Sequence, residues 1–285
     1  MLGTTVGGPS LLTTADEGSS WTRLALPKGL SSLGDAGPGT AVAFSDAERG
    51  LLAAGGSFWA TGDGGHSWRT GGPANAEVRQ IAAGPNAGYV LLRTANGGYV
   101  LGRAAAGTVE AKPVLDGNRL TGTTPYLATS GTTVVVISGD RTLRSSDGGR
   151  SFTASRGPCR ADLGGTVSAA GSAVLAWCAT GTAGVGYLST DRGAGFTRTD
   201  ASGGNHAAGA PTGSGAVFAY QTGSGLRLTG RSGAGTAVRG GPSTVSWVGF
   251  STPDNGFAIG ATDSGSTRLW RSVDGGHSWS PLGRG

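Results

Sequence analysis

The 285 residues predict an all-β chain, a seven-bladed β-propeller of four-stranded antiparallel blades forming one domain over residues 1–285. Three observations lead there: one short phrase recurs, its copies stand at a nearly constant interval, and no stretch carries a helical apolar period. The phrase is Ser/Thr-x-Asp-x-Gly-x-x-Trp/Phe. It occurs as TADEGSSW (Thr14 to Trp21), TGDGGHSW (Thr61 to Trp68), SSDGGRSF (Ser145 to Phe152), STDRGAGF (Ser189 to Phe196) and SVDGGHSW (Ser272 to Trp279). Its aspartates, Asp16, Asp63, Asp147, Asp191 and Asp274, leave two gaps nearly double the others. Worn copies fill those gaps: LGRAAAGT (Leu101 to Thr108) and TGRSGAGT (Thr229 to Thr236) put Arg103 and Arg231 where the aspartate would stand. Seven marks then follow one another at 40 to 47 residues. In a strand-rich chain that period belongs to a propeller, whose four-stranded repeats cannot bury their apolar faces alone.

The phrase has a local physical purpose. An aspartate in a tight turn accepts hydrogen bonds from backbone N–H groups just ahead of it. Glycines such as Gly65, Gly149 and Gly276 adopt backbone angles that a Cβ resists. The closing ring, Trp21, Trp68, Phe152, Phe196 or Trp279, folds back onto the blade, where its burial contributes about 1.5–3 kcal/mol.

These residues match the Asp-box, or BNR, motif, and essentially the whole chain resembles the Asp-box propellers. That group includes sialidases, xyloglucan-degrading glycosidases, sortilin-type receptors and photosystem II assembly-factor propellers. The resemblance implies that each box lies between the third and fourth strands of a blade, on the face opposite the usual binding site. The box aspartates are therefore expected to be structural.

Within the last repeat, Ser243 to Phe250 reads as the inner strand, Gly256 to Ala261 as the second, Thr267 to Arg271 as the third, and a fourth begins near Ser278. Earlier inner strands read at Thr40–Ser45, Val78–Ala83, Thr123–Thr129, Thr166–Ala170 and His206–Pro211. Laying the first repeat on the last, with Leu2 on Ile259 and Asp16 on Asp274, starts the chain inside a second strand. The first blade is thus expected to be incomplete, with its inner strand and an export signal lying upstream in a longer natural product.

Composition narrows the classes. Fifty-seven glycines, scattered without a triplet period, suit many short strands and turns. Apolar runs such as Val134 to Ile137 are strand-sized, so no membrane span is expected. The net charge is +5, but the basic residues, nearly all Arg, are spread along the chain, which argues against nucleic-acid binding. Cys159 falls in the loop entering the fifth blade and Cys178 at the end of that blade's second strand, on the same side. A disulfide between them is expected, and with it an extracytoplasmic or secreted location. Two unrelated buried thiols are the alternative.

Candidate chemistry is sparse. Glycoside hydrolysis needs two facing carboxylates, and the acidic residues expected on the binding side, Asp35, Glu77, Glu110, Asp116, Asp140, Asp162, Asp200 and Asp263, show no pairing. The Arg-Ile-Pro motif and late Tyr-Glu pair that a sialidase resemblance would imply are missing from the sequence. His66 and His277 occupy matching box positions, and with His206 they do not form a ligand set; no metal and no cofactor are expected. What remains is a binding face lined by Arg79 and Gln80, Arg119, Arg160 and Asp162, Asn205 and His206, and Trp247, this last read as inter-blade core before ligand shelf. The reading is a non-catalytic propeller, a monomer, that binds a protein or glycan partner at or outside the cell envelope. A glycosidase of sialidase or xyloglucanase type and an assembly-factor scaffold are the alternatives.

Overall fold

The computed structural model describes residues 2–5, 8–16, 20–28, 30, 41–72, 75–122, 124–181, 183–202, 206–213, 215–220, 225–229 and 236–282. The worn mark at Arg231, Asp35, Asn205 and most of the Pro27–Gly39 connection lie outside them, as do the side chains of Asp200 and His206. The described residues form strands and turns, with no helix among them.

A three-stranded sheet comes first: β1 (Leu2–Thr5), β2 (Gly8–Thr13) and β3 (Thr22–Leu24). The second sheet holds β4 (Ala41–Phe44), β5 (Gly50–Ala54), β6 (Ser57–Thr61) and β7 (Arg69–Gly71). Next come β8 (Ala76–Gly84), β9 (Ala87–Thr94), β10 (Tyr99–Ala105) and β11 (Lys112–Leu115), then β12 (Tyr126–Ser130), β13 (Thr133–Ser138), β14 (Arg141–Ser145) and β15 (Thr153–Arg156). The fifth sheet is β16 (Gly165–Ala170), β17 (Ala173–Ala179), β18 (Gly184–Ser189) and β19 (Thr197–Ser202). The last two are β20 (His206–Pro211), β21 (Ala216–Tyr220), β22 (Leu226–Thr229) and β23 (Thr236–Ala237), and β24 (Thr244–Phe250), β25 (Gly256–Ala261), β26 (Thr267–Ser272) and β27 (Ser280–Leu282). In every sheet the strands follow chain order. Among the described residues there are therefore six four-stranded blades, not seven, and the remaining repeat is the one expected to be incomplete. The first repeat has three strands, and its β1 holds the second-strand position, since β2 runs into the first aspartate turn.

The chain divides into two compact units, residues 1–121 with 131–134 and 145–152, and residues 122–130 with 135–144 and 153–285. In the first, the inner strand β4 lies beside β8, and Leu51, Phe58, Val78, Ile81, Val90 and Leu92 close one core. In the second, β12, β16, β20 and β24 stand side by side in that order. Successive cores gather around Val135 and Val174, around Leu175 and Phe218, and around Val217, Val248 and Trp270. Full burial of a ring such as Phe58 or Phe218 contributes about 1.5–3 kcal/mol.

Among the inner strands whose side chains are described, strict alternation fails at two for one reason. A bulge in β8 between Val78 and Gln80, and another in β24 between Val245 and Trp247, insert one residue into the ladder. Val78 and Ile81, three apart, then face the same core, as do Val245 and Val248. The two residues between each pair turn away from it. Trp247 is consequently 49% exposed, with its indole lying along Gly249, where it was expected to be core.

The cysteines form the expected disulfide, Cys159–Cys178. It ties the connection between β15 and β16 to β17 and closes a loop whose ends are 19 residues apart, a restraint that typically stabilises by about 2–4 kcal/mol.

The aspartate turns lie between third and fourth strands, β2–β3, β6–β7, β14–β15, β18–β19 and β26–β27. In four of them the residue after the aspartate donates its N–H to the turn between first and second strands of its own blade: Gly64 to Glu48, Gly148 to Thr132, Arg192 to Ser172 and Gly275 to Asp254, at 2.8–3.0 Å. The next glycine is pressed against the preceding blade. A Cβ on Gly149 would stand 2.8 Å from Tyr89, and one on Gly276 would stand 2.5 Å from Val217, so the position has no room for a side chain.

Arg192 breaks the pattern. It holds φ 61°, where the matching positions are Gly64 (72°), Gly148 (72°) and Gly275 (69°). An L-residue in that region is disfavoured by about 1–2 kcal/mol, which the greater freedom of an unfolded glycine partly offsets. Arg192→Gly is therefore expected to stabilise the protein by roughly 0.5–1 kcal/mol in equilibrium denaturation.

Candidate functional site

The conspicuous carboxylates are those of the aspartate turns, and each accepts several hydrogen bonds from its own turn. Asp63 Oδ1 accepts from the Thr61 hydroxyl at 2.8 Å and the Ser67 N–H at 2.8 Å, while Oδ2 accepts from the Ser67 hydroxyl at 2.6 Å. Thr61 Oγ1 in turn accepts from the Gly65 N–H at 2.9 Å. Asp147 repeats this with Ser145 and Ser151, Asp274 with Ser272 and Ser278, and Asp16 with Thr14 and Ser20. Asp191 keeps Ser189 but meets only backbone N–H groups at Ala194 and Gly195.

Hydrogen bonds to an ionised carboxylate favour ionisation. The Ser20 hydroxyl and amide hold Asp16 at about 2, and those of Ser67 and Ser151 hold Asp63 and Asp147 well below the usual carboxylate range. Desolvation pulls Asp274 upward, but Ser278 and Ser272 outweigh it and leave about 2; Asp191 is lowered against the same opposition. Groups held this firmly ionised have no proton to give at neutral pH. Their arrangement staples a turn.

On the side of the blades away from these turns, the first unit carries a groove of about 550 Å³. The β5–β6 turn supplies Gly55, Gly56 and Ser57, the entry to β8 supplies Asn75, Ala76 and Glu77, and the β9–β10 turn supplies Arg93, Thr94, Ala95 and Gly97. The Val78 N–H donates to Gly56 O at 2.8 Å, joining the first two segments, and the Gly97 N–H closes the third onto Thr94 O at 2.9 Å. Glu77 pairs in register with Arg93 across β8 and β9, and it takes the Arg79 guanidinium at 2.8 Å. Gly55 and Gly97, at φ 56° and 82°, have open space where a Cβ would be, so a ligand can approach bare backbone there.

Of the residues expected to bind, Arg79 and Gln80 stand together on β8, Arg79 reaching the groove through Glu77. Arg119 does not: its guanidinium donates to Phe152 O at 2.9 Å and braces an aspartate turn. In the second unit, Arg160 and Asp162 form an exposed two-bonded pair at 3.0 and 2.9 Å beside the disulfide, and Trp247 stands on β24. His206 begins β20. Glu110 was expected on the binding side. It falls instead in the β10–β11 connection, on the side of the aspartate turns, because the fourth strand starts only at Lys112. Sequence reasoning missed Gly55, Gly56, Ser57 and Asn75. The glycine pair between two apolar runs was the available signal.

No family model matches the sequence, and no curated protein does. Solved structures do. YCF48 from Cyanidioschyzon merolae is 16% identical, with a TM-score of 0.57 over 84% of this chain and 83% of that one. YCF48 bound to D1 peptide is 15% identical, with a TM-score of 0.52 over 84% and 80%. Human WBSCR16 is 12% identical, with a TM-score of 0.58 over 93% and 84%. By fold the chain is a β-propeller. At such identities the likeness reaches the fold alone, so the propeller's function has to be argued from its own surface.

The turn aspartates make one consequence measurable. Each binds a proton less readily folded than unfolded, where 3.8 is the ordinary value. Their contribution is complete above that value and is lost as pH falls toward 2. The denaturation midpoint is expected to be flat from neutral pH down to about pH 5 and to fall between about pH 4 and 2. Asp274→Asn should lower the plateau and flatten the fall.

Proposed function

We propose that this chain is a non-catalytic propeller of the Asp-box type, one domain of seven repeats, whose first-unit groove receives an extended peptide segment of a partner protein. The groove carries the reading. It is open at bare-glycine edges, it offers backbone and small polar groups along its length, and it places Glu77 and Arg93 as opposite charges for orientation. A related fold, YCF48, is solved bound to D1 peptide, which supports a peptide as the kind of ligand. The groove's lining has no aromatic ring on which a sugar could stack, and Glu77 is its one carboxylate, where glycoside hydrolysis uses two. The disulfide supports an oxidising compartment outside the cytoplasm.

Selection from a displayed random-peptide library tests this reading. Peptides that bind the wild type are expected to lose binding to Ala95→Trp, which fills the groove from an exposed turn position without touching a core, and the variant should melt with the wild type. Failure to enrich any peptide, or equal binding to the filled variant, would count against the groove.

A further inference from the structure

The third repeat's worn mark stands apart from the peptide groove. Arg103, which the repeat spacing put at the aspartate position, stands inside β10, at the place that Arg144 holds in the next blade. It lines a cleft of about 460 Å³ together with Arg69 on β7 and Thr108, Val109, Glu110 and Lys112 around the β10–β11 connection. Three cations and one carboxylate share this small space.

Two features distinguish the cleft from an ordinary solvated basic surface. First, Arg103 and Lys112 are direct partners in the β10–β11 register. Like charges opposite one another in a ladder destabilise it, and ordinary sheets place a carboxylate or a neutral residue there. Among the described residues, Arg69, Lys112 and Glu110 close no ion pair, although Asp46–Arg49, Glu77–Arg79 and Arg160–Asp162 all do so elsewhere. Second, Arg103 is held in place. Its Nε donates to Gly148 O at 2.6 Å, and its aliphatic stem packs at the Gly149 turn beside the buried Tyr89. A guanidinium anchored through Nε spends little conformational freedom on meeting a ligand.

We propose that this cleft binds a compact oxyanion, a phosphate or sulfate group free or carried as an ester, between Arg69, Arg103 and Lys112. The anion supplies the negative charge that the Arg103–Lys112 pairing lacks. It relieves the Arg103–Lys112 repulsion, receives charge-assisted hydrogen bonds from the three cations, and rests against Val109 and Thr108. Glu110 at the cleft disfavours a bulkier polyanion and leaves a net positive site for one group. The site lies in the first unit but shares no lining residue with the peptide groove, so the two readings stand or fall separately.

Calorimetric titration with inorganic phosphate and inorganic sulfate, against sodium chloride at matched ionic strength, tests it. Saturable one-site binding is expected for the wild type. The Arg69→Ala/Lys112→Ala double variant, which leaves the anchored Arg103 intact, should bind at least roughly tenfold more weakly. Without ligand it should melt at or above the wild-type temperature, because removing Lys112 ends the like-charge pairing. O-phosphoserine and glucose 6-sulfate then distinguish the carriers by which binds more tightly. Heat that follows ionic strength alone, or equal affinity in the double variant, would overturn the proposal.

Discussion

A bonded aspartate turn is the interaction on which the blades depend. Its carboxylate accepts two hydroxyls and an amide within a few residues, so the turn closes without help from another strand. Closing it fixes three outward links. The following residue donates to the first turn of the same blade, the next glycine abuts the core of the blade before it, and the carbonyl between them accepts an arginine from that blade. Arg103 reaches Gly148 O and Arg144 reaches Arg192 O in this way. A hairpin device thus becomes a contact between blades, which explains why a short phrase sets the spacing of an entire chain.

This arrangement divides the labour between the two sides of a blade. One side is occupied by turns whose carboxylates are hydrogen-bonded within the turn and ionised at neutral pH. The other is left to short connections and to inner-strand residues that the bulges of β8 and β24 rotate out of the core. The fold puts adaptable chemistry where nothing structural competes for it. The third repeat is the exception: it has no stapling aspartate, and its connection forms a charged cleft beside the arginine that holds the next blade.

Much of the fold was legible because the phrase is local and its spacing is regular. Strand β25 falls where the apolar pattern places it, and β8, β16, β20 and β24 differ from their predicted spans by a few residues at most. The disulfide was legible because both cysteines map to one end of the same blade. The site was less so. Trp247 reads as core under strict alternation, and only the spacing of three between Val245 and Val248 betrays the bulge that exposes it. Arg119 reads as a free donor because its partner, the Phe152 carbonyl, is a backbone group 33 residues away. Glu110 was misplaced because the third strand of its repeat runs on past Arg103 to Ala105, which shifts the connection and the fourth strand along the chain. The serine before the closing ring, Ser20, Ser67, Ser151 and Ser278, was visible in four copies and is in fact the aspartate's second hydroxyl partner.

The central claim is that the aspartate turns hold the blades and take no part in ligand chemistry. Replacing Asp147 by Asn, followed by equilibrium denaturation and by titration with a peptide selected on the wild type, tests it most directly. The account predicts a clearly lower denaturation midpoint with unchanged peptide affinity at temperatures where the variant is folded. An unchanged midpoint with lost affinity would contradict it.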